Sequence, residues 1–105
     1  MNTNNGKKLD IGKPRMDLVL REVPHALSGL ATGLTYGAEK YAVGNWVKVE
    51  DGKNRYTAAL LRHLSAHFAG EHDDAESGIS HLALVLVNAA FIYELEVMGE
   101  ERLPS

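Results

Sequence analysis

The residues able to do chemistry fall into three groups. The first is cationic: Lys13, Arg15, Lys40, Arg55 and Arg62. An arginine offers a planar fork that matches phosphate oxygens and keeps its charge, so these five are candidates for gripping phosphate. The second is acidic: Glu71, Asp73, Asp74 and Glu76 place four carboxylates in six residues. Hard cations such as Mg²⁺ prefer oxygen ligands of this kind, although an acidic run can equally be a solvated loop. The third is imidazole. His63 and His67 are four apart, hence on one helical face, with Glu71 next along it. That spacing admits a metal site, and a phosphate-binding or structural role competes with it. His81 and Asn88, seven apart within an apolar segment, share a helix face. A buried polar group without a partner costs ~1–3 kcal/mol, so both require partners: His63 or His67, a ligand, or a structural hydrogen-bond pair across the bundle. Tyr36, Tyr41 and Trp46 can stack on a base or pack in a core; for Tyr36 the core is the expected place.

Three helices must carry these groups. The first is expected over 23–41, with Pro24 in its first turn and an apolar stripe of Val23, Leu27, Leu30, Leu34 and Ala38. Gly29, Gly33 and Gly37 recur every four residues on a neighbouring face, at ~1 kcal/mol each relative to alanine, which implies close approach of a backbone or a ligand. A turn-rich loop over 42–54 holds Asn45 and Trp46. The second helix is expected over 55–69, stopped by Gly70, with Leu60, Leu61, Leu64 and Phe68 towards the core. Its other side reads Arg55, Ala59, Arg62, His63, Ala66, His67, and the small residues leave room for something to dock. The third is expected over 77–98, capped by Ser77, and is apolar nearly all round. Three helices cannot enclose such a helix, which implies a homo-oligomer. Residues 1–12 read as a flexible arm ahead of one domain over 13–105, and the stretch 12–20, with Pro14, reads as extended.

Composition narrows the class. There is no cysteine among the 105 residues, so disulfides, thiolate metal sites and a cysteine nucleophile are excluded. The net charge is −3, against a duplex nucleic-acid binder, which is normally basic. The polar N-terminus and the short apolar stretch 79–92, interrupted by His81 and Asn88, predict a cytoplasmic protein that neither leaves the cell nor enters a membrane. The expected fold class is all-α, a compact bundle of three main helices completed by homo-oligomerisation.

Four stretches, in order, carry a resemblance. They are Gly12-Lys13-Pro14-Arg15-Met16-Asp17-Leu18; Tyr36-Gly37-Ala38-Glu39-Lys40-Tyr41 with Asn45-Trp46; Arg55-Tyr56 with Leu61-Arg62-His63; and Gly70-Glu71 with Asp74, Glu76-Ser77-Gly78 and His81-Leu82. Together they span about residues 13 to 94 and resemble the phage-associated dATP/dGTP diphosphohydrolase N-terminal domain family. That family is similar to the MazG-like all-α nucleoside triphosphate pyrophosphohydrolases. The resemblance implies Mg²⁺ or Mn²⁺, attack at the α–β phosphate linkage, a dimer or tetramer, and a host cytoplasm if the chain is phage-encoded. His72-Asp73 also resembles the pair of HD-type phosphohydrolases, but those need a later metal-binding aspartate, and no Asp follows Asp74.

One departure matters. MazG-like enzymes carry Glu-x-x-Glu on one helix and Glu-x-x-Asp on the next, whereas the corresponding positions here are Arg62, His63 and Ala66, then Gly78 and His81. The resemblance therefore implies a metal held by Glu71, Asp74 and Glu76, with Glu39 a possible addition, and catalysis by Glu71, Asp74 and His63. Substrate binding falls to Lys13, Arg15, Lys40, Arg55 and Arg62 on phosphates, Asn45 and Trp46 on base or sugar, and His67 and His81. The expected activity is release of monophosphate and pyrophosphate from dATP or dGTP. The alternative is a non-catalytic pocket that sequesters a nucleotide, such as a signalling nucleotide.

Overall fold

The structure, a computed structural model, describes residues 11–102, with side chains to residue 99. The expected arm over 1–12 and the last three residues of the expected domain thus lie largely outside the described residues. Four α-helices follow in order: α1 (Asp17–Glu22), α2 (Pro24–Lys40), α3 (Gly52–Phe68) and α4 (His81–Arg102), with a 3-10 turn at Asn45–Lys48 between α2 and α3. No strand forms among the described residues. α4 packs against α3 most extensively and against α2 on another side. The all-α fold with three main helices is as expected.

Local chemistry sets the boundaries. α1 replaces part of the stretch expected to be extended, because Asp17 in its first turn collects Arg15 (Nε 3.0 Å, Nη2 2.8 Å) and Arg21 (Nε 2.9 Å). A short helix after a proline has too few residues to show a periodicity. Pro24 opens α2 as expected. α3 starts three residues before the expected point: Asp51, in the left-handed region at φ 55°, enters the helix while accepting from Asn54 Nδ2 at 2.9 Å. Gly70, at φ 100°, ends α3 with Gly70 N–H on His67 O and Glu71 N–H on Ala66 O, both 3.0 Å, a Schellman closure.

The third main helix begins at His81, not at Ser77. Ser77 donates its backbone N–H (2.9 Å) and hydroxyl (2.8 Å) to Asp74 Oδ2, and its Oγ accepts from Ile79 N–H (3.2 Å), so Ser77 closes a turn ahead of the helix. Gly78 then turns the chain at φ 73°, and Ser80 Oγ takes the cap, accepting from Ala83 N–H at 3.4 Å. His81 N–H donates to His72 O (2.9 Å) and Asp74 N–H to Ile79 O (2.8 Å), and an isolated bridge pairs Asp73 with Ser80. The acidic loop is therefore a closed, hydrogen-bonded platform.

The glycine stripe of α2 is divided in use. A Cβ at Gly29 would meet Ala83 Cβ at 3.3 Å, and one at Gly33 would meet Val87 Cγ2 at 2.3 Å; at Gly37 nothing lies within 4 Å. The first two let α2 approach α4.

Burial corrects two expectations. Leu61 and Phe68 are 57% and 79% exposed, so the expected inner stripe of α3 is only partly inner in one chain. The second concerns length: within α4, His81–Gly99 is 19 residues with mean hydropathy 1.7, long and apolar enough to cross a membrane by length and composition. The helix extends beyond the apolar stretch 79–92, because Glu94 and Glu96 interrupt the apolar run without interrupting the helix. Among the described residues Val87 is the one buried large hydrophobic side chain, and the buried polar ones are His81 and Asn88.

Candidate functional site

A cleft of about 730 Å³ opens between the C-terminal half of α2, the 3-10 turn and the outer face of α3. That volume suits a nucleotide-sized ligand. Its cationic wall is Arg55 and Arg62 on α3, two turns apart, about 10 Å along the axis. Ala59 lies between them, as the sequence face required. Neither arginine forms an ion pair among the described residues; in particular Arg62 does not pair with Glu71 or Asp74.

The opposite wall is aromatic. Trp46 stacks on Phe91 of α4, centroids 4.6 Å apart and planes 10° from parallel, and Tyr56 tilts onto Phe91 at 5.0 Å. The Tyr56 hydroxyl donates to Trp46 O at 2.7 Å and pins the turn to α3. Burial raises the Tyr56 phenol above its usual value, with Arg55 opposing, so it remains a donor at neutral pH. Asn45 sits beside Trp46 on the rim, and Asn88 lies on the floor with Nδ2 donating to Leu84 O at 2.8 Å. Gly37 and Ala38 keep the α2 side open. Among the described residues no carboxylate lines the cleft.

His63, also on the cleft wall, joins it to a second cluster. Its Nδ1 lies 2.9 Å from Nδ1 of His81, and the rings tilt by 40° at 5.1 Å between centroids. Of the partners open to His81, the structure selects His63; His67 lies edge-on to Phe68 instead. Asp74 completes the cluster: His63, Asp74 and His81 offer ligand atoms within 4.8 Å of one another. Burial lowers the His63 pKa; Asp74 opposes, while His81 and Arg62 add to the fall. Burial pushes the Asp74 carboxyl up, but the two Ser77 donors, His63 and His81 outweigh it and the group sits below its usual range. Glu71 Oε1 is 3.4 Å from His81 Nε2, near enough to attract, yet that buried nitrogen has no hydrogen-bond partner among the described residues.

Of the residues expected from sequence, Asn45, Trp46, Arg55, Arg62 and His63 line one cleft, while Glu71, Asp74 and His81 gather with His63 behind it. Others lie elsewhere. Glu76 pairs with Lys40, whose ammonium also sits over the rings of Tyr36 (5.8 Å) and Tyr41 (5.3 Å). Arg15 is bidentate to Asp17, and Lys13 is exposed; neither lines the cleft. Phe91, within the apolar run of the third main helix, is a cleft wall. Its signal is its place three residues after Asn88, on the same face of α4.

The profile of the dATP/dGTP diphosphohydrolase N-terminal family matches residues 3–103. The chain belongs to that family, whose name carries nucleotide hydrolysis at the family level. No curated protein and no solved structure matches the chain significantly.

Proposed function

We propose that the chain hydrolyses a purine deoxynucleoside triphosphate, dATP or dGTP, to the monophosphate and pyrophosphate. The observation that carries the reading is one cleft with two arginines, neither ion-paired among the described residues, on one wall and a stacked aromatic pair on the other. Arg55 and Arg62 neutralise the phosphate chain, and their reach along α3 spans several phosphate groups. The base lies towards Trp46, Tyr56 and Phe91, with the amides of Asn45 and Asn88 as hydrogen-bonding partners for its edges.

Water attacks the α-phosphorus: an oxygen–phosphorus bond forms, the α–β bridging bond breaks, and pyrophosphate leaves with the bond's electron pair. Glu71, exposed beside the imidazole cluster, takes the water's proton. A divalent cation, Mg²⁺ or Mn²⁺, would supply Lewis-acid stabilisation and a lower water pKa. Asp74 suits such an ion, because Ser77 holds one carboxylate oxygen and leaves the other available. Glu76, committed to Lys40, does not join that set.

The protein works as a homo-oligomer in this reading. One chain leaves Leu27 and Leu34 of α2, and Leu82 and Leu86 of α4, more than a third exposed. A second copy offers the same apolar faces to cover them.

The test is an assay of the untagged protein with dATP, dGTP and other nucleoside triphosphates, with Mg²⁺ or Mn²⁺, resolving monophosphate and pyrophosphate. Equal release of both supports the reading. Tight binding of a nucleotide with no pyrophosphate released replaces it with sequestration, which the absence of carboxylates from the cleft lining favours.

A further inference from the structure

The imidazole cluster behind the cleft has a feature that nucleotide binding does not account for. His81 is 4% exposed, and its Nε2 is buried without a hydrogen-bond partner among the described residues. Its Nδ1 faces the Nδ1 of His63 at 2.9 Å. Two imidazole nitrogens this close repel through their lone pairs unless a proton or a cation lies between them. Bonds of about 2.1 Å from one ion to two nitrogens place them about 3 Å apart when the bonds meet at a right angle.

We propose that His63, His81 and Asp74 form a binding site for a first-row transition-metal dication, with Glu71 as the outer carboxylate that orients His81. The ligand types decide the class of ion: imidazole nitrogens suit Mn²⁺, Co²⁺, Ni²⁺ and Zn²⁺, whereas Mg²⁺ prefers oxygen. The third ligand is ready. Asp74 Oδ2 is held by Ser77 N–H and Oγ–H, and Oδ1 accepts no hydrogen bond among the described residues. Outer support is in place too. With Nδ1 on the ion, His81 carries its proton on Nε2, 3.4 Å from Glu71 Oε1, the pattern in which a carboxylate fixes a ligand's tautomer.

The chain brings the set together by local means. The Schellman turn at Gly70 sends Glu71 back towards α4, and the hydrogen bonds of His81 N–H to His72 O and Asp74 N–H to Ile79 O fix Asp74 against the start of α4. Three protein ligands leave positions open for water or a phosphate oxygen, and His63 stands on the cleft wall. Only the use of the ion in hydrolysis rests on the function proposed above; its binding does not.

The test uses untagged, chelator-treated protein and no nucleotide. Calorimetric titration with Zn²⁺, Co²⁺, Mn²⁺ and Mg²⁺ should show one transition ion per chain, with Zn²⁺ and Co²⁺ at least a hundredfold tighter than Mg²⁺. Co²⁺ should gain visible d–d absorption on binding. His63→Gln and Asp74→Asn should each weaken Co²⁺ binding more than tenfold, and Glu71→Gln about tenfold. His72→Gln, at an exposed imidazole outside the cluster, should change nothing. Thermal melts of every variant confirm the fold, and Glu71→Gln, at an exposed position, keeps the test open if a cluster variant fails to fold. No saturable binding of Co²⁺ or Zn²⁺ by the wild type overturns the proposal, as does binding indifferent to His63→Gln and Asp74→Asn; an N–H···N hydrogen bond between the imidazoles then explains the 2.9 Å contact. Metal binding without pyrophosphate release removes the proposed hydrolysis and leaves this site standing.

Discussion

Gly33 of α2 lies so close to Val87 of α4 that a Cβ on it would sit 2.3 Å from Val87 Cγ2. Val87 is also the one buried large hydrophobic side chain among the described residues, so this contact is where the two helices lock. Gly33→Ala should destabilise the protein by ~1–3 kcal/mol through overpacking. Gly37→Ala, with nothing within 4 Å of the new methyl, should stabilise it by ~0.5–1 kcal/mol through helix propensity. Urea unfolding at one fixed protein concentration checks both. Equal effects at the two positions would mean that α2 does not dock as described.

Arg62 stands on the cleft wall without an ion-pair partner among the described residues, so its charge is available to a ligand. A charge-assisted hydrogen bond is worth ~1.5–3 kcal/mol, and Arg62→Ala should weaken nucleotide affinity at least tenfold. Arg62→Lys keeps the charge but loses the fork, and should recover part of that. Calorimetry decides it, with sedimentation as control. Unchanged affinity, or a broken assembly as the only effect, would assign Arg62 a structural role.

The Tyr56 hydroxyl donates to Trp46 O at 2.7 Å in a half-buried setting. Tyr56→Phe should cost ~0.5–1.5 kcal/mol, since the ring and its packing on Phe91 remain while the carbonyl loses its donor. Amide hydrogen exchange should accelerate at residues 45–48 and little elsewhere. Uniform acceleration would contradict a local anchoring role.

Acid should weaken α1 only at low pH. The Arg15 guanidinium, assisted by Arg21 against some desolvation, holds the Asp17 carboxyl at about 2, below its usual 3.8. A depressed folded value means a contribution fully present above about 3.8 and lost as pH falls through about 2. Asp17→Asn should remove that dependence and lower α1 protection at neutral pH. Proton exchange of residues 17–22, followed from pH 5 to pH 2, reads it locally.

Assembly is open to a direct test. Sedimentation at micromolar concentration should give a dimer or larger. Charging one exposed face with Leu82→Lys and Leu86→Lys together should produce a smaller species that keeps its helical circular dichroism. A wild type that sediments as a stable monomer would remove the homo-oligomer from the proposed function.

The three main helices were legible because each carries a long apolar period with a recognisable start or stop, such as Pro24 and Gly70. α1 was not, since six residues are too few for a period and its one local signal is a carboxylate between two arginines. Ser77 misled for a physical reason: its N–H and O–H donate to Asp74 and its Oγ accepts from Ile79 N–H, a turn that only the folded chain reveals. The cationic face of α3 could be read directly, as Arg55, Ala59, Arg62 and His63 indeed share one wall. Phe91 could not, because hydrophobic spacing does not distinguish a core from the lining of a cleft. The meeting of His63 with His81 depends on how α3 and α4 are brought back together across the acidic loop, and spacing along one helix carries none of that.

The stacking of Trp46 on Phe91 also has an optical consequence. The chain has a single tryptophan, and it stands on the cleft wall. All indole emission from each chain therefore originates beside the cleft, with no second source to dilute it. A base settling near that ring would quench or shift the whole signal, so the protein carries its own unlabelled gauge of occupancy, usable in stopped flow to follow arrival and departure separately.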